Sequence, residues 1–169
     1  MPLVVALCTG NAARSVMAGA LLGGDPDLAV ETRGTHVVEG LPMSVRTRTA
    51  LSALGVDNHV HRSQQLTDED VDTADIVLAM AREHVEYVRR RHPQAAARTA
   101  TLKRLARDLP PGPEPLADRV AALHLDEVVL EHWEDVDDPA GGDEDIFHEC
   151  ANQIQDLLVR LAPALREPG

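Results

Sequence analysis

Chemistry-bearing residues crowd the start of the chain: Cys8, Asn11, Arg14 and Ser15 fall in the run Cys8-Thr9-Gly10-Asn11-Ala12-Ala13-Arg14-Ser15. A loop of small residues between a strand and a helix can curl until its backbone N–H groups face one point. At a helix N-terminus such a concavity holds anions. The amides of Thr9, Gly10, Ala12 and Ala13 would line it. Arg14 adds a planar guanidinium whose fork matches two oxygens of a phosphate. Cys8, at the rim, lies in the same positive field, which favours the ionised, nucleophilic form of a thiol. A thiolate aimed at a bound tetrahedral oxyanion is a nucleophile for phosphoryl transfer.

Such a site needs a rigid frame, and the patterning supplies one. Residues 3–7 form a short apolar run with paired valines, as in a strand buried on both faces. A helix follows over 16–22, with Ser15 as its expected cap, and Gly23-Gly24-Asp25-Pro26 stops it. Further strands are predicted at 28–32, 75–80 and 99–102. Helices are predicted at 46–54, closed by Gly55, and at 82–91, where Arg89, Arg90 and Arg91 suit the negative helix pole. Thr67 with three acids behind it marks a short helix. Four prolines between Leu109 and Pro115 make a loop, read as an insertion. Residues 143–165 give the longest helix, with Ile146, Phe147, Cys150, Ala151, Ile154, Leu157, Leu158, Leu161 and Leu165 on one apolar stripe. Strands alternating with helices argue for a doubly wound α/β sheet, where ligands sit beyond the strand C-termini. Cys8 falls there.

Composition narrows the partners. A chain of 169 residues fits a single domain. Its net charge of −12 repels nucleic acid and anionic lipid. The two cysteines lie far apart, which excludes a disulfide scaffold. With no signal-like N-terminus and no long apolar run, the chain reads as cytoplasmic. His59 and His61 lack a third ligand at useful spacing, so neither metal nor cofactor is expected. Aromatics are scarce: Tyr87, Trp133 and Phe147. Packing is the expected role of Trp133 and Phe147, and Cys150 on the last helix reads as core.

The run from Cys8 to Ser15 resembles the phosphate loop of low-molecular-weight protein tyrosine phosphatases. The resemblance continues through Thr32-Arg33-Gly34-Thr35, His61-Arg62-Ser63, Leu66-Thr67-Asp68-Glu69-Asp70, the stretch from Ala74 to Met80 and Asp138-Pro139. It implies a flavodoxin-like three-layer sandwich around a four-stranded parallel sheet, and a phosphocysteine intermediate. By position, Cys8 would be the nucleophile, Arg14 the phosphate clamp and Asp138 the acid that protonates the leaving group. Ser15 would donate to the Cys8 thiolate, Asn11 would brace the loop, and His61 would join that bracing network. The following proline biases Asp138 toward extended backbone, which helps hold its carboxyl over the site. Its neighbours Glu134, Asp135 and Asp137 would raise one another's pKa, an aid to an acid.

The chain departs from the family pattern in places. Ala13 stands where many members carry a second cysteine, so no loop disulfide can protect Cys8. Gly19 replaces a usual glutamate, and Arg33 a usual small residue. Ala140-Gly141-Gly142 follows Asp138-Pro139 where phosphotyrosine-selective members often show aromatics. The leading reading is a phosphomonoesterase acting on protein phosphotyrosine or a small aryl phosphate, with inorganic phosphate as product and inhibitor. The alternatives are an arsenate reductase drawing on an external thiol, a protein arginine phosphatase, and a non-catalytic phosphate-binding module.

Overall fold

A computed structural model describes residues 1–57 and 60–169. His59 of the His59/His61 pair lies outside the described residues. Among the described residues no cluster of three or more His, Cys, Asp or Glu side chains could hold a metal ion.

Period-two alternation builds the frame. Strands β1 (Leu3–Cys8), β2 (Ala29–Gly34), β3 (Ile76–Ala79) and β4 (Thr99–Thr101) form one parallel sheet in the order β2-β1-β3-β4. Val4, Ala6 and Cys8 of β1 point into one core, together with Ile76 and Leu78. Helices α1 (Arg14–Leu22), α2 (Val45–Ala53), α5 (Leu102–Asp108) and α7 (Glu144–Leu165) supply its other wall, joined by α6 (Leu116–Ala121). Val5, Leu7 and Val77 face a second, smaller core with residues of α3 (Asp68–Thr73) and α4 (Arg82–Arg91). The result is the expected three-layer α/β sandwich. No helix among the described residues is long and apolar enough to cross a membrane.

Several boundaries moved for identifiable reasons. Ser15 does not cap α1; the helix begins two residues earlier, at Arg14, with Ala13 at the cap and no side-chain bond there. β2 runs on to Gly34, which pairs with Cys8. A Cβ at Gly34 would lie 2.6 Å from the Thr9 carbonyl and 2.9 Å from the Asn11 nitrogen. Only glycine lets β2 pass so close beneath the phosphate loop. Gly19 has a similar reason, since a Cβ there would collide with the Thr32 side chain. β4 stops at Thr101 because that side chain accepts from the Arg104 amide and starts α5, a helix the patterning did not show. Ile146, expected on the buried stripe, is exposed, and the stripe effectively begins at Phe147.

Two arginines explain what the sequence left open. Arg33 donates to Asp70 at 3.0 Å and to the Thr32 carbonyl at 2.8 Å, tying β2 to α3. Buried Arg119 donates to the carbonyls of Pro110, Glu114, Ala164 and Arg166. It thereby fastens the proline-rich loop to the end of α7, whose last carbonyls lack helical partners.

Candidate active site

The phosphate loop leaves the end of β1 and enters α1 at Arg14. Among the described residues, none of the backbone N–H groups from Gly10 to Ser15 has a protein acceptor. A helix start and a curled loop leave such amides for an anion. Cys8 and Arg14 are each 3% exposed, so the thiol and the guanidinium are screened from bulk water.

Donor counting fixes the direction of the bonds on the thiol. Asn11 Nδ2 can only donate, and it lies 2.8 Å from Ser15 Oγ. Ser15 therefore accepts from Asn11, and its own proton is free for Cys8 Sγ at 3.0 Å. The chain Asn11 to Ser15 to Cys8 delivers a hydrogen-bond donor to the sulfur. Asn11 holds φ at +53°, a left-handed conformation that asparagine tolerates better than most residues. Four bonds keep it there. Its carbonyl accepts from His61 Nε2 at 2.7 Å and Ser63 Oγ at 2.8 Å, Gln64 N–H donates to its Oδ1 at 3.0 Å, and Ser15 takes its amide. Burial, reinforced by the charge of Arg62, keeps His61 below the ordinary histidine range despite the bond to the Asn11 carbonyl. His61 thus meets the Asn11 carbonyl as a neutral donor. On the far side, Thr47 Oγ1 donates to the Ala12 carbonyl at 3.1 Å.

Asp138 reaches the site from a distant segment. Its Oδ2 lies 3.6 Å from Arg14, its Oδ1 accepts from the Ala140 amide at 3.0 Å, and half of its side chain is exposed. The residues before it are pinned one after another. Glu134 is fully buried and receives the Arg104 fork in two bonds of 2.8 Å. Asp135 takes the side chain of Arg82 through both oxygens, and the Arg82 amide as well. Val136 donates to the Met80 carbonyl and accepts from Arg14, each at 2.8 Å. Arg14 therefore joins the phosphate loop to the acid loop.

The expected mutual raising of pKa among these acids does not hold for Glu134 and Asp135. Burial pushes both carboxyls up, but the bonds from Arg104, the Glu131 amide and Thr101 outweigh it at Glu134, and those from Arg82 outweigh it at Asp135. Both end below the usual carboxylate range. Each has its own arginine, so they are tethers, not a cluster.

Between α4 and the acid loop opens a cleft of about 440 Å³ whose walls include Arg14, Glu83, Glu86, Asp137 and Asp138, with no aromatic ring. Trp133 is not part of it; Arg107 stacks on its ring at 4.1 Å, and its indole N–H bonds Glu131. Phe147 is core, as expected, and Cys150 is too, its thiol pushed up to about 11 by burial. His84 escaped notice in the sequence. It is buried at the start of α4, and its Nε2 lies 2.9 Å from Thr9 Oγ1. Nothing in its local pattern signals a contact across 75 residues. Arg82 and Arg104 escaped in the same way.

Comparison with known proteins agrees with this arrangement. Residues 3–110 match the family model for low molecular weight phosphotyrosine protein phosphatase. A protein-arginine-phosphatase of Geobacillus stearothermophilus is 31% identical over 96% of this chain and 95% of its own. The solved YwlE arginine phosphatase from Geobacillus stearothermophilus superposes with a TM-score of 0.78 at 30% identity, covering 96% of this chain and 91% of that one. A low molecular weight protein tyrosine phosphatase from T. tengcongensis gives 0.77 at 26% identity, over 96% and 98% of the two chains. A thiol in a phosphate-shaped loop, a sheet of matching topology and relatives along its whole length carry one conclusion: the chain belongs to the low-molecular-weight phosphotyrosine protein phosphatase family, and it is a cysteine-based phosphatase that hydrolyses phosphoric monoesters.

Proposed function

We propose that the whole chain acts as one domain that dephosphorylates protein side chains through Cys8. The loop amides and the Arg14 fork hold the non-bridging oxygens of the phosphoryl group. The Cys8 thiolate attacks phosphorus, the S–P bond forms, and the bond to the leaving oxygen breaks as Asp138 donates its proton there. Water then attacks the phosphocysteine while the Asp138 carboxylate takes a proton from it. The S–P bond breaks and inorganic phosphate leaves. The observation that carries this reading is the one-way donor chain from Asn11 through Ser15 to the Cys8 sulfur. Two free thiols suit a reducing cytoplasm.

Phosphotyrosine is the substrate the family description names. A second reading has its own support. The cleft beside Arg14 lacks a ring; its walls carry Glu83, Glu86, Asp137 and Asp138, while its other cation, Arg82, is paired with Asp135. Carboxylates suit a cationic guanidinium better than a phenyl group, and a phosphoarginine side chain carries one. The relatives matched along nearly their full length include protein-arginine-phosphatases.

The experiment is turnover on p-nitrophenyl phosphate, a phosphotyrosine peptide, a phosphoarginine peptide, and arsenate with a thiol donor. Wild-type protein should hydrolyse phosphorylated substrates, while Cys8→Ser should lose turnover and keep binding phosphate. A tenth of wild-type turnover in Cys8→Ser would sink the covalent route. Glu86→Gln should lower activity on phosphoarginine and spare phosphotyrosine if the second reading holds; equal effects on both would count against it.

A further inference from the structure

His84 touches the phosphate loop yet has no part in the chemistry above. It is 1% exposed, in the first turn of α4, held by a bond at each ring nitrogen. The Ala81 N–H donates to Nδ1 at 3.1 Å, and Nε2 lies 2.9 Å from Thr9 Oγ1. A backbone amide can only donate, so Nδ1 carries no proton, and a neutral imidazole must then carry it on Nε2. The ring is neutral: burial first, then the charge of Arg14, push His84 down to about 3, with His36 adding and Asp135 opposing. The Glu83 carboxylate lies 3.5 Å from Nε2, farther than the Thr9 hydroxyl.

One consequence follows for Thr9. Its oxygen accepts from His84, and its own O–H has no other partner among the described residues. Thr9 is half-buried and directly follows Cys8 in the loop that would wrap a phosphoryl group. Phosphoryl oxygens only accept, so a hydroxyl fixed as a donor matches them, whereas a freely rotating one matches them part of the time.

We propose that His84 is a positioning residue that presets the Thr9 hydroxyl as a hydrogen-bond donor to a phosphoryl oxygen bound in the loop. The proposal rests on the phosphate-binding half of the function proposed above, not on turnover. It assigns His84 a role the loop motif does not contain, and it makes Thr9 a side-chain ligand of the phosphoryl group as well as a backbone one.

Inorganic phosphate binding by calorimetry and kcat/KM on p-nitrophenyl phosphate test it with Thr9→Val, Thr9→Ser, His84→Phe, His84→Gln and the double variant Thr9→Val/His84→Phe. Thr9→Val and His84→Phe should each weaken phosphate binding about tenfold or somewhat more, the size of one hydrogen bond to a charged group. Thr9→Ser keeps the hydroxyl, and a glutamine amide can donate from near the Nε2 position, so each should recover most of the affinity that Thr9→Val or His84→Phe loses. The double variant should be no worse than Thr9→Val alone, because His84 acts through that hydroxyl. Multiplied losses in the double variant, or wild-type phosphate affinity in Thr9→Val, would overturn the proposal. Should His84→Phe fail to fold, the contrast of Thr9→Val with Thr9→Ser and the behaviour of His84→Gln still decide it. Binding is read without turnover, so a protein that binds phosphate in a Thr9-dependent way but hydrolyses nothing would sink the phosphatase reading and leave this one standing.

Discussion

The phosphate loop and the acid loop meet at Arg14 but are built on opposite plans. Between Cys8 and Ser15 most of the ordering is local: neighbours within seven residues of each other supply the bonds to the thiol. Support from the 61–64 segment enters mainly through one residue, Asn11. The acid loop has local turns of its own, but distant residues fix its place. Glu134, Asp135 and Val136 are fastened to Arg104, Arg82 and Arg14, from three different helices. A nucleophile that must stay in one geometry is served by a short rigid loop. An acid that must approach a leaving group and then activate water is served by a long segment held at its root, with its tip exposed.

The largest effect is expected where the two plans share a residue. Arg14→Ala removes the phosphate fork and the tether on the Val136 carbonyl together. We expect a fall in kcat/KM of about 10³–10⁵-fold, the range that a clamping arginine contributes in phosphoryl transfer. Phosphate affinity should fall as well. If Arg14→Ala changed KM alone and left kcat intact, Arg14 would be a ground-state binding group only.

The next prediction separates Asp138 from its neighbours. Asp138→Asn should slow an unactivated phenolate leaving group by about 10²–10⁴-fold, the usual worth of a general acid. A nitrophenolate, which departs nearly unaided, should be slowed least. Asp137→Asn should change little, since among the described residues that carboxylate has no tether like those of Glu134 and Asp135. Asp135→Asn should cost more than Asp137→Asn, because Asp135 bonds Arg82. Loosening that tether should cost turnover on poor leaving groups while sparing phosphate affinity. The measurement is kcat across aryl phosphates of graded leaving-group pKa. A larger loss in Asp137→Asn than in Asp138→Asn would remove Asp138 from its role.

How much of each loop the sequence disclosed follows from this contrast. Cys8, Asn11, Arg14 and Ser15 stand in one unbroken run after a strand, so their spacing alone specifies a loop geometry. Asp138 could be placed only through Asp138-Pro139 and a family resemblance. Arg82 and Arg104 look like ordinary charged positions on short helices, and their pairing with Asp135 and Glu134 exists only after the sheet has brought β3 and β4 side by side. His84 is hidden in the same way. Ser15 shows the opposite failure: its type and place suggest a cap, and the bonds of its hydroxyl to Cys8 and Asn11 override that preference.

A third, smaller effect tests the root of the acid loop. Arg104→Met leaves the buried Glu134 carboxylate without its main partner, which should cost about 3 kcal/mol of stability. Glu134 and Asp135 both titrate below their ordinary values when folded. Such groups stabilise the fold fully above their unfolded values, roughly pH 4, and that contribution is lost as pH falls through the folded ones. Wild-type Tm should therefore drop below about pH 4. Arg104→Met should be less stable at neutral pH and lose less on acidification, since the stabilised carboxylate is already compromised. Parallel Tm–pH curves for the two proteins would show that the Arg104–Glu134 pair is not what depresses this carboxyl.

The smallest effect separates bonds from strain at Asn11. Asn11→Ala and Asn11→Gly both delete the amide that donates to Ser15 and the oxygen that accepts from Gln64. Released from Asn11, Ser15 Oγ no longer has its proton directed at Cys8, so both variants should lose activity to the same extent. They differ only in backbone preference. Alanine in the left-handed region at φ +53° costs about 1 kcal/mol or a little more, whereas glycine adopts it freely. Asn11→Gly should therefore melt roughly 2–4 °C above Asn11→Ala, the shift that about 1 kcal/mol produces in a chain of this length. The deleted Asn11 bonds to Ser15 and Gln64 lower both proteins equally and cancel from the comparison. Equal melting temperatures would mean that the carbonyl bonds from His61 and Ser63 do not hold the left-handed turn, and that the loop relaxes once the side chain is gone. In that case the two activities should also diverge from the expected equality, because a relaxed loop would move its amides away from the phosphoryl group along with the sulfur.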